Sequence, residues 1–271
     1  MGKKHRPLPE TLGLPAGGVE THAHLDMPPL RDDLDAVIER AARCGVSRIG
    51  QVFLGPQAYH ANRAAFAAHP GVFFLLGTHP HDAKELTPDG LQATADAFRA
   101  DPRLRALGEI GLDFHYDLSP REVQRAAFAD QLALARELDM PVVVHSREAW
   151  DETMTILLDQ GFHRRPLLWH CFTEGPERMR EITARGWLLS LPGPVTYPKN
   201  EAVRQAAAAA PGDRLVLETD SPFLAPDPYR GKPNEPALLG FTALAVAALR
   251  GEDPAALWHS TAANATQFFG L

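Results

Sequence analysis

Cysteine is scarce. Cys44 and Cys171 are the only two in 271 residues. Two thiols do not make the disulfide framework of a small secreted protein, so both are expected reduced, in a cytoplasmic protein. Long apolar runs are missing as well: none approaches the ~20 residues that cross a bilayer, and no membrane partner is expected. Lys3, Lys4 and Arg6 lead into no apolar segment, which argues against a signal peptide. Lys3-Lys4-His5-Arg6 is too short for an import or nucleic-acid signal and reads as a solvated tail. Positive charge is in deficit, with 27 Lys and Arg against 34 Asp and Glu and a net charge of −7. That argues against a broad basic face for duplex DNA, whose binding neutralises many phosphates. It leaves room for a nuclease whose metal ions supply positive charge locally.

What remains is an ordinary globular composition, 45% hydrophobic and 23% charged. Short β-branched or leucine-rich runs alternate with longer alanine-rich amphipathic ones. Strands are expected near Glu20–Asp26, Ser47–Leu54, Val72–Thr78, Leu104–Glu109, Pro141–His145, Leu167–His170, Gly186–Ser190 and Arg214–Thr219. Continuous apolar runs such as Val72–Thr78 suit strands buried on both faces, as in parallel sheets. Asp32 or Asp33, Pro56, Pro88, Pro120, Pro176 and Pro236 stand where helices should begin. Phe128, Leu132, Ala135 and Leu138 form the apolar stripe of one of them. Eight strand–helix units with no linker or charge block predict a parallel (β/α)8 barrel filling residues 1–271 as a single domain, with an added helix from Asp253 to Phe269. No obligate protein partner is implied.

In such barrels chemistry sits at the C-terminal ends of the strands. Among the chain's 12 histidines, His22 and His24 fall at that end of strand one, His79 after strand three, His145 on strand five and His170 on strand six. Glu109 ends strand four and Asp220 follows strand eight. Residues two apart on a strand share a face, so His22 and His24 converge. Imidazole and carboxylate donors suit zinc, manganese, cobalt or iron, and magnesium less well. Two cations need a bridging anion, for which Glu109 is placed. His22, His24 and Asp220 would complete one site, and His145 and His170 the other. Ions about 3.5–4 Å apart can activate a shared water, and Asp220 could take its proton. The implied reaction is hydrolysis of a phosphodiester, ester or amide, with Glu109 and Asp220 as the catalytic carboxylates.

These segments resemble the TatD family of metal-dependent hydrolases within the amidohydrolase-like barrels. The similarity runs through ETHAHLD at Glu20–Asp26, GTHPHDA at Gly77–Ala83, GEIGLDFH at Gly108–His115 and PVVVHSREA at Pro141–Ala149. It continues through WHCF at Trp169–Phe172, LETDSPFLAP at Leu217–Pro226, RGKPNEP at Arg230–Pro236 and NATQFFGL at Asn264–Leu271. The resemblance implies a magnesium- or manganese-dependent nuclease trimming DNA or RNA from the 3′ end. It also implies ligands at His22, His24, Glu109, His145, His170 and Asp220. The cofactor expectation is therefore two divalent ions, Mg, Mn or Zn, and the substrate expectation is single-stranded or frayed nucleic-acid ends. Some family members are linked to D-aminoacyl-tRNA deacylation, so an ester or amide hydrolase is the alternative. A metal-binding scaffold without turnover finds no support, because every ligand position is filled. Glu109 replaces the strand-four lysine of barrels bridged by a lysine carbamate. Departures from the family pattern are Glu20 for Asp, Ala23 for Cys, and Thr173-Glu174-Gly175 for Ser-Gly. Glu174 at the mouth would repel a polyanion, and Pro192 and Pro194 would stiffen the loop after strand seven.

Around this centre, His79, His81 and Arg147 are the candidate substrate contacts, Arg147 as a two-pronged phosphate ligand. Lys199, Arg230 and Lys232 are further basic candidates at the rim. Tyr59, Phe114, Tyr116 and Tyr197 are candidates for stacking on bases.

Overall fold

A computed structural model describes residues 6–271; Lys3, Lys4 and His5 of the expected basic tail lie outside the described residues. Eight parallel strands pair in chain order: Gly18–Ala23 (β1), Val46–Leu54 (β2), Val72–Gly77 (β3), Leu104–Asp113 (β4), Val142–Arg147 (β5), Leu167–Trp169 (β6), Leu188–Leu191 (β7) and Leu215–Leu217 (β8). The last strand returns to the first at the Ala23–Ser221 bridge. Helices fill the crossovers: Leu34–Arg43 (α1), Pro56–Asn62 (α2), Pro88–Ala100 (α3), Arg121–Glu137 (α4), Trp150–Asp159 (α5), Pro176–Ala184 (α6), Glu201–Ala209 (α7) and Leu239–Arg250 (α8), followed by Pro254–Phe269 (α9). This is the expected (β/α)8 barrel. No helix of the described residues is long and apolar enough to cross a membrane, and both cysteines are free.

Proline fixes where several helices begin, since its missing N–H costs nothing in a first turn. It does so in α2, α3, α6 and α9. Thr87 and Asp253 add side-chain caps by accepting the N–H of Gly90 and Ala256. Four expected boundaries move. The helix opened by Pro56 ends at Asn62 and continues only as a single tight turn, Arg63–Phe66. β6 and β8 stop at Trp169 and Leu217, so His170 and Asp220 stand beyond the regular strand. β4 runs four residues past Glu109, to Asp113, because a register shift against β5 between Leu107 and Ile110 absorbs the irregularity and pairing resumes.

The alternation of side chains divides the core in two. One layer lies between strands and helices, where the rings of Phe53, Tyr59, Phe66 and Phe74 meet edge to face. The other lies inside the barrel and is built from Val19, Val52, Phe73, Leu75, Ala106, Val143, Leu168, Leu188 and Val216. Most of these sit early in their strands, so the lower half of the barrel is apolar and the upper half is free for polar groups. Ala262, Ala265 and Phe269 of α9 join the inner cluster, with the Phe269 ring 4.8 Å from that of Phe73. The C-terminal helix therefore closes the N-terminal end of the barrel instead of adding a turn to its outer wall. Asn264 and Trp258 anchor it by donating to the carbonyls of Leu215 and Pro15.

Candidate metal centre

Closure of the barrel builds the first part of the site. Between β1 and β8 the N–H of Asp220 donates to His22 O at 2.9 Å, and the N–H of His24 to Ser221 O at 2.8 Å. Lower down the seam is completed by side chains. Glu20 Oε1 accepts the N–H of Thr219, and Thr21 Oγ1 donates to Leu217 O. Glu20 is fully buried, and burial pushes its pKa up to about 8. This pairing sets His22, His24 and Asp220 side by side, although almost two hundred residues of chain separate them.

Glu109 lies at the centre, with its two oxygens facing different nitrogen sets. Oε2 is 3.2 Å from His22 Nε2 and 3.9 Å from His24 Nε2. Oε1 is 2.6 Å from His145 Nδ1 and 3.5 Å from both His170 Nε2 and His79 Nε2. Asp220 Oδ1 completes the ring, at 3.4 Å from His24 Nε2 and 3.9 Å from both His22 and His170 Nε2. All six sequence-derived ligand candidates are thus brought to one place. The close approach of β4 and β5 that this requires depends on Gly111: its φ is +148°, and a Cβ there would lie 1.9 Å from His145 O.

The donor set fits cations. His22 Nδ1 and Nε2 and His24 Nδ1 are buried without a hydrogen-bond partner. His22 Nε2 is close to Glu109 yet not aligned to donate to it, so nitrogen and oxygen aim at shared space instead of at each other. Buried polar atoms left this way are costly unless something occupies that space. His22, His24 and Glu109 form one possible ligand cluster, and His79, Glu109 and His145 another.

Charge follows the geometry. Burial works against a charged His145, but Asp113 and Glu109 outweigh it and raise its pKa to about 9. Burial likewise opposes charge on His170, and Glu218 and Glu109 raise it to about 10. Burial and the neighbouring His170 charge lower His22, whose ring stacks on that of His170 at 3.6 Å. Burial brings His79 down to about 4. Burial would raise Glu109 and Asp220, but the surrounding histidines hold both below the usual carboxylate range. Protons on the rings here balance carboxylate charge that cations can balance instead.

Two carboxylates absent from the sequence-derived set orient the ligands. Asp113 Oδ2 accepts from His145 Nε2 at 3.1 Å and from His81 Nε2 at 3.0 Å. Its Oδ1 accepts the N–H groups of His115 and Tyr116. Glu218 accepts from His170 Nδ1 at 2.8 Å, from the Cys171 N–H at 2.7 Å and from Ser190 Oγ. These bonds leave His145 Nδ1 and His170 Nε2 turned toward Glu109. Glu218 was legible: it stands two before Asp220 on the same alternate face as the inward Val216. Asp113 stands four after Glu109 on the same alternate face, in a stretch of β4 beyond the strand end expected at Glu109.

The outer candidates scatter. His79 is buried beside Glu109, and its Nδ1 accepts the N–H of His81. His81 is partly exposed at the rim. Arg147 ends β5 with no carboxylate within ion-pair distance among the described residues, its guanidinium 4.7 Å from the Tyr116 ring centroid. Arg230 covers Tyr197. Tyr59 is buried on the outer wall, bonded to Asp101, and Phe114 is buried under Arg121; neither can receive a base. Glu174 does not present a bare negative charge, because Arg178 pairs with it at 2.6 Å one helical turn away.

A (β/α)8 barrel with histidines and carboxylates gathered at its C-terminal mouth defines the class of metal-dependent hydrolases. The family model of TatD related DNase matches residues 19–270, and the chain belongs to the TatD family, enzymes that hydrolyse ester bonds. It is 35% identical over 252 residues to the Bacillus subtilis protein named uncharacterized metal-dependent hydrolase YabD, covering 93% of this chain and 98% of that one. It is 36% identical over 247 residues to the 3'-5' ssDNA/RNA exonuclease TatD of Citrobacter rodentium, covering 88% of this chain and 92% of that one. Among solved structures, YjjV, a TatD homolog from Escherichia coli K12, superposes with a TM-score of 0.88 at 28% identity, covering 94% of this chain and 99% of that one.

Proposed function

We propose that the protein is a phosphodiesterase that binds two divalent cations, Mg, Mn or Zn, and removes nucleotides from the 3′ ends of single-stranded or frayed DNA or RNA. The observation that carries this reading is the divided Glu109 carboxylate, one oxygen toward His22 and His24 and the other toward His145 and His170. Glu109 would bridge the two cations, with Asp220 completing the site of His22 and His24. Bound there, the cations supply a water of lowered pKa and stabilise the attacking and leaving oxygens. Asp220 turns Oδ1 to the three histidines, which leaves Oδ2 to take the proton of the attacking water. Asp113 and Glu218 hold the rings of His145 and His170 in the orientation that offers nitrogen to the centre. Arg147, with no carboxylate at ion-pair distance among the described residues, would hold a phosphate. The exonuclease names carried by relatives at 36% identity support this choice of substrate.

The test is release of mononucleotides from 3′-labelled single-stranded DNA with each metal in turn. Asp220→Ala should lower the rate by about 10²–10⁴-fold. No release with any metal ends the reading. Hydrolysis of a D-aminoacyl-tRNA ester without DNA cleavage would establish the alternative, an ester or amide hydrolase.

A further inference from the structure

Two loops at the barrel mouth keep apolar side chains in water. Among the described residues, Leu8, Tyr116, Leu118, Phe223 and Leu224 are the large hydrophobic side chains that stand exposed. Leu8 belongs to the N-terminal segment. The other four lie in the loops that follow β4 and β8. Exposed apolar groups gathered beside a polar centre mark a binding surface.

Phe223 adjoins a candidate ligand of that centre. The residue is 51% exposed, and its ring centroid lies 6.2 Å from that of the His24 ring, at 67°. The backbone holds it there: the Phe223 N–H donates to Asp220 O at 2.9 Å, and its carbonyl accepts from Asn234 Nδ2 at 2.6 Å. Asn234 is buried and also donates to Thr219 O. Leu224, next in the chain, has a φ of 55°, a region that branched side chains seldom enter. Its carbonyl is backed by Gly193, where a Cβ would lie only 2.2 Å away. Strain of this kind persists only where the surroundings impose it, and it collects at ligand sites. The stiff turn around Pro192 and Pro194 thus acts as a buttress for the Phe223 loop.

We propose that Phe223 is the platform on which the unpaired base of the 3′-terminal nucleotide stacks while its phosphate lies at the metal centre. The inference rests on the phosphodiesterase reading above and adds the feature of the substrate that is gripped. A net charge of −7 argues against holding a polyanion by a broad basic surface. Stacking needs no charge and tolerates every base, since each has a π face. It also selects for single strands, because a paired base is already stacked.

The experiment compares single-stranded oligonucleotides ending in a 3′ base with ones ending in an abasic sugar. On base-bearing ends, Phe223→Leu should lower kcat/KM roughly ten- to hundredfold, chiefly through KM. On abasic ends it should have little effect, and Phe223→Tyr should stay near the wild type on both. Independently of turnover, a 3′-terminal 2-aminopurine on a phosphorothioate-protected strand should be quenched by the wild type and by Phe223→Tyr, and not by Phe223→Leu. Equal losses on the two kinds of end, or no loss on either, overturn the inference and leave the nuclease reading standing. Absence of any nucleotide release by the wild type overturns both.

Discussion

Asp113 shows how much a single carboxylate outside the ligand set can decide. It is fully buried and binds both His81 and His145 through one oxygen. Replacement by Asn keeps the shape but removes an acceptor charge facing two imidazoles. Groups that orient a ligating histidine typically govern 10–100-fold in metal affinity. Asp113→Asn should therefore weaken Mn2+ binding by about that factor in calorimetry, with an unchanged circular dichroism spectrum. Asp101 offers a second case, remote from the centre. Burial alone would raise its pKa, but hydrogen bonds from Arg103 and Tyr59 outweigh it and lower the value below 3.8. A depressed carboxylate stabilises the fold above its unfolded pKa, and the contribution is lost as pH falls through the folded value. Asp101→Asn should cost roughly 1–3 kcal/mol in urea unfolding at pH 7, and the gap from the wild type should narrow below about pH 4. The six ligand candidates were readable because each is a histidine or carboxylate at or near the C-terminal end of an expected strand. Phe223 was not singled out, because an apolar residue in a motif reads as core until exposure is known.

Among the elements, strands with continuous apolar runs were readable to within a few residues, since burial on both faces leaves a plain signature. β4 was not, because the shift between Leu107 and Ile110 interrupts the alternation that a sequence reading relies on. The C-terminal helix could be placed in the chain but not in space. Its apolar residues say only that it packs, and the inner cluster shows that Phe269 caps the barrel base against Phe73. Phe269→Ala should leave a cavity there and destabilise the protein by about 3–5 kcal/mol, read from its urea midpoint. A helix lying merely on the outer wall, free to shift inward, would lose far less.

At the scale of the whole molecule, a cluster of buried carboxylates and imidazoles joins six strand ends, so its cations should act on global stability. A ligand that binds only the folded state at a hundred times its Kd adds about 2.7 kcal/mol, or roughly 5–10 °C in a protein this large. Saturating Mn2+ should raise the Tm over that measured in EDTA by about this amount. Glu109→Ala should abolish the shift, and a shift that survived would place the cation elsewhere.

By itself the sequence determined the barrel and the candidate donors. Hydrophobic periodicity is local, and a histidine or carboxylate at a strand end declares its chemistry wherever the strand lies. The tertiary structure alone decided which oxygen faces which ring, which carboxylates hold those rings in place, and which aromatic remains in water. Those outcomes depend on pairing between residues as distant as His22 and Asp220 and on the packing that buries Tyr59 but leaves Phe223 outside. Such distances are set only when the sheet closes on itself.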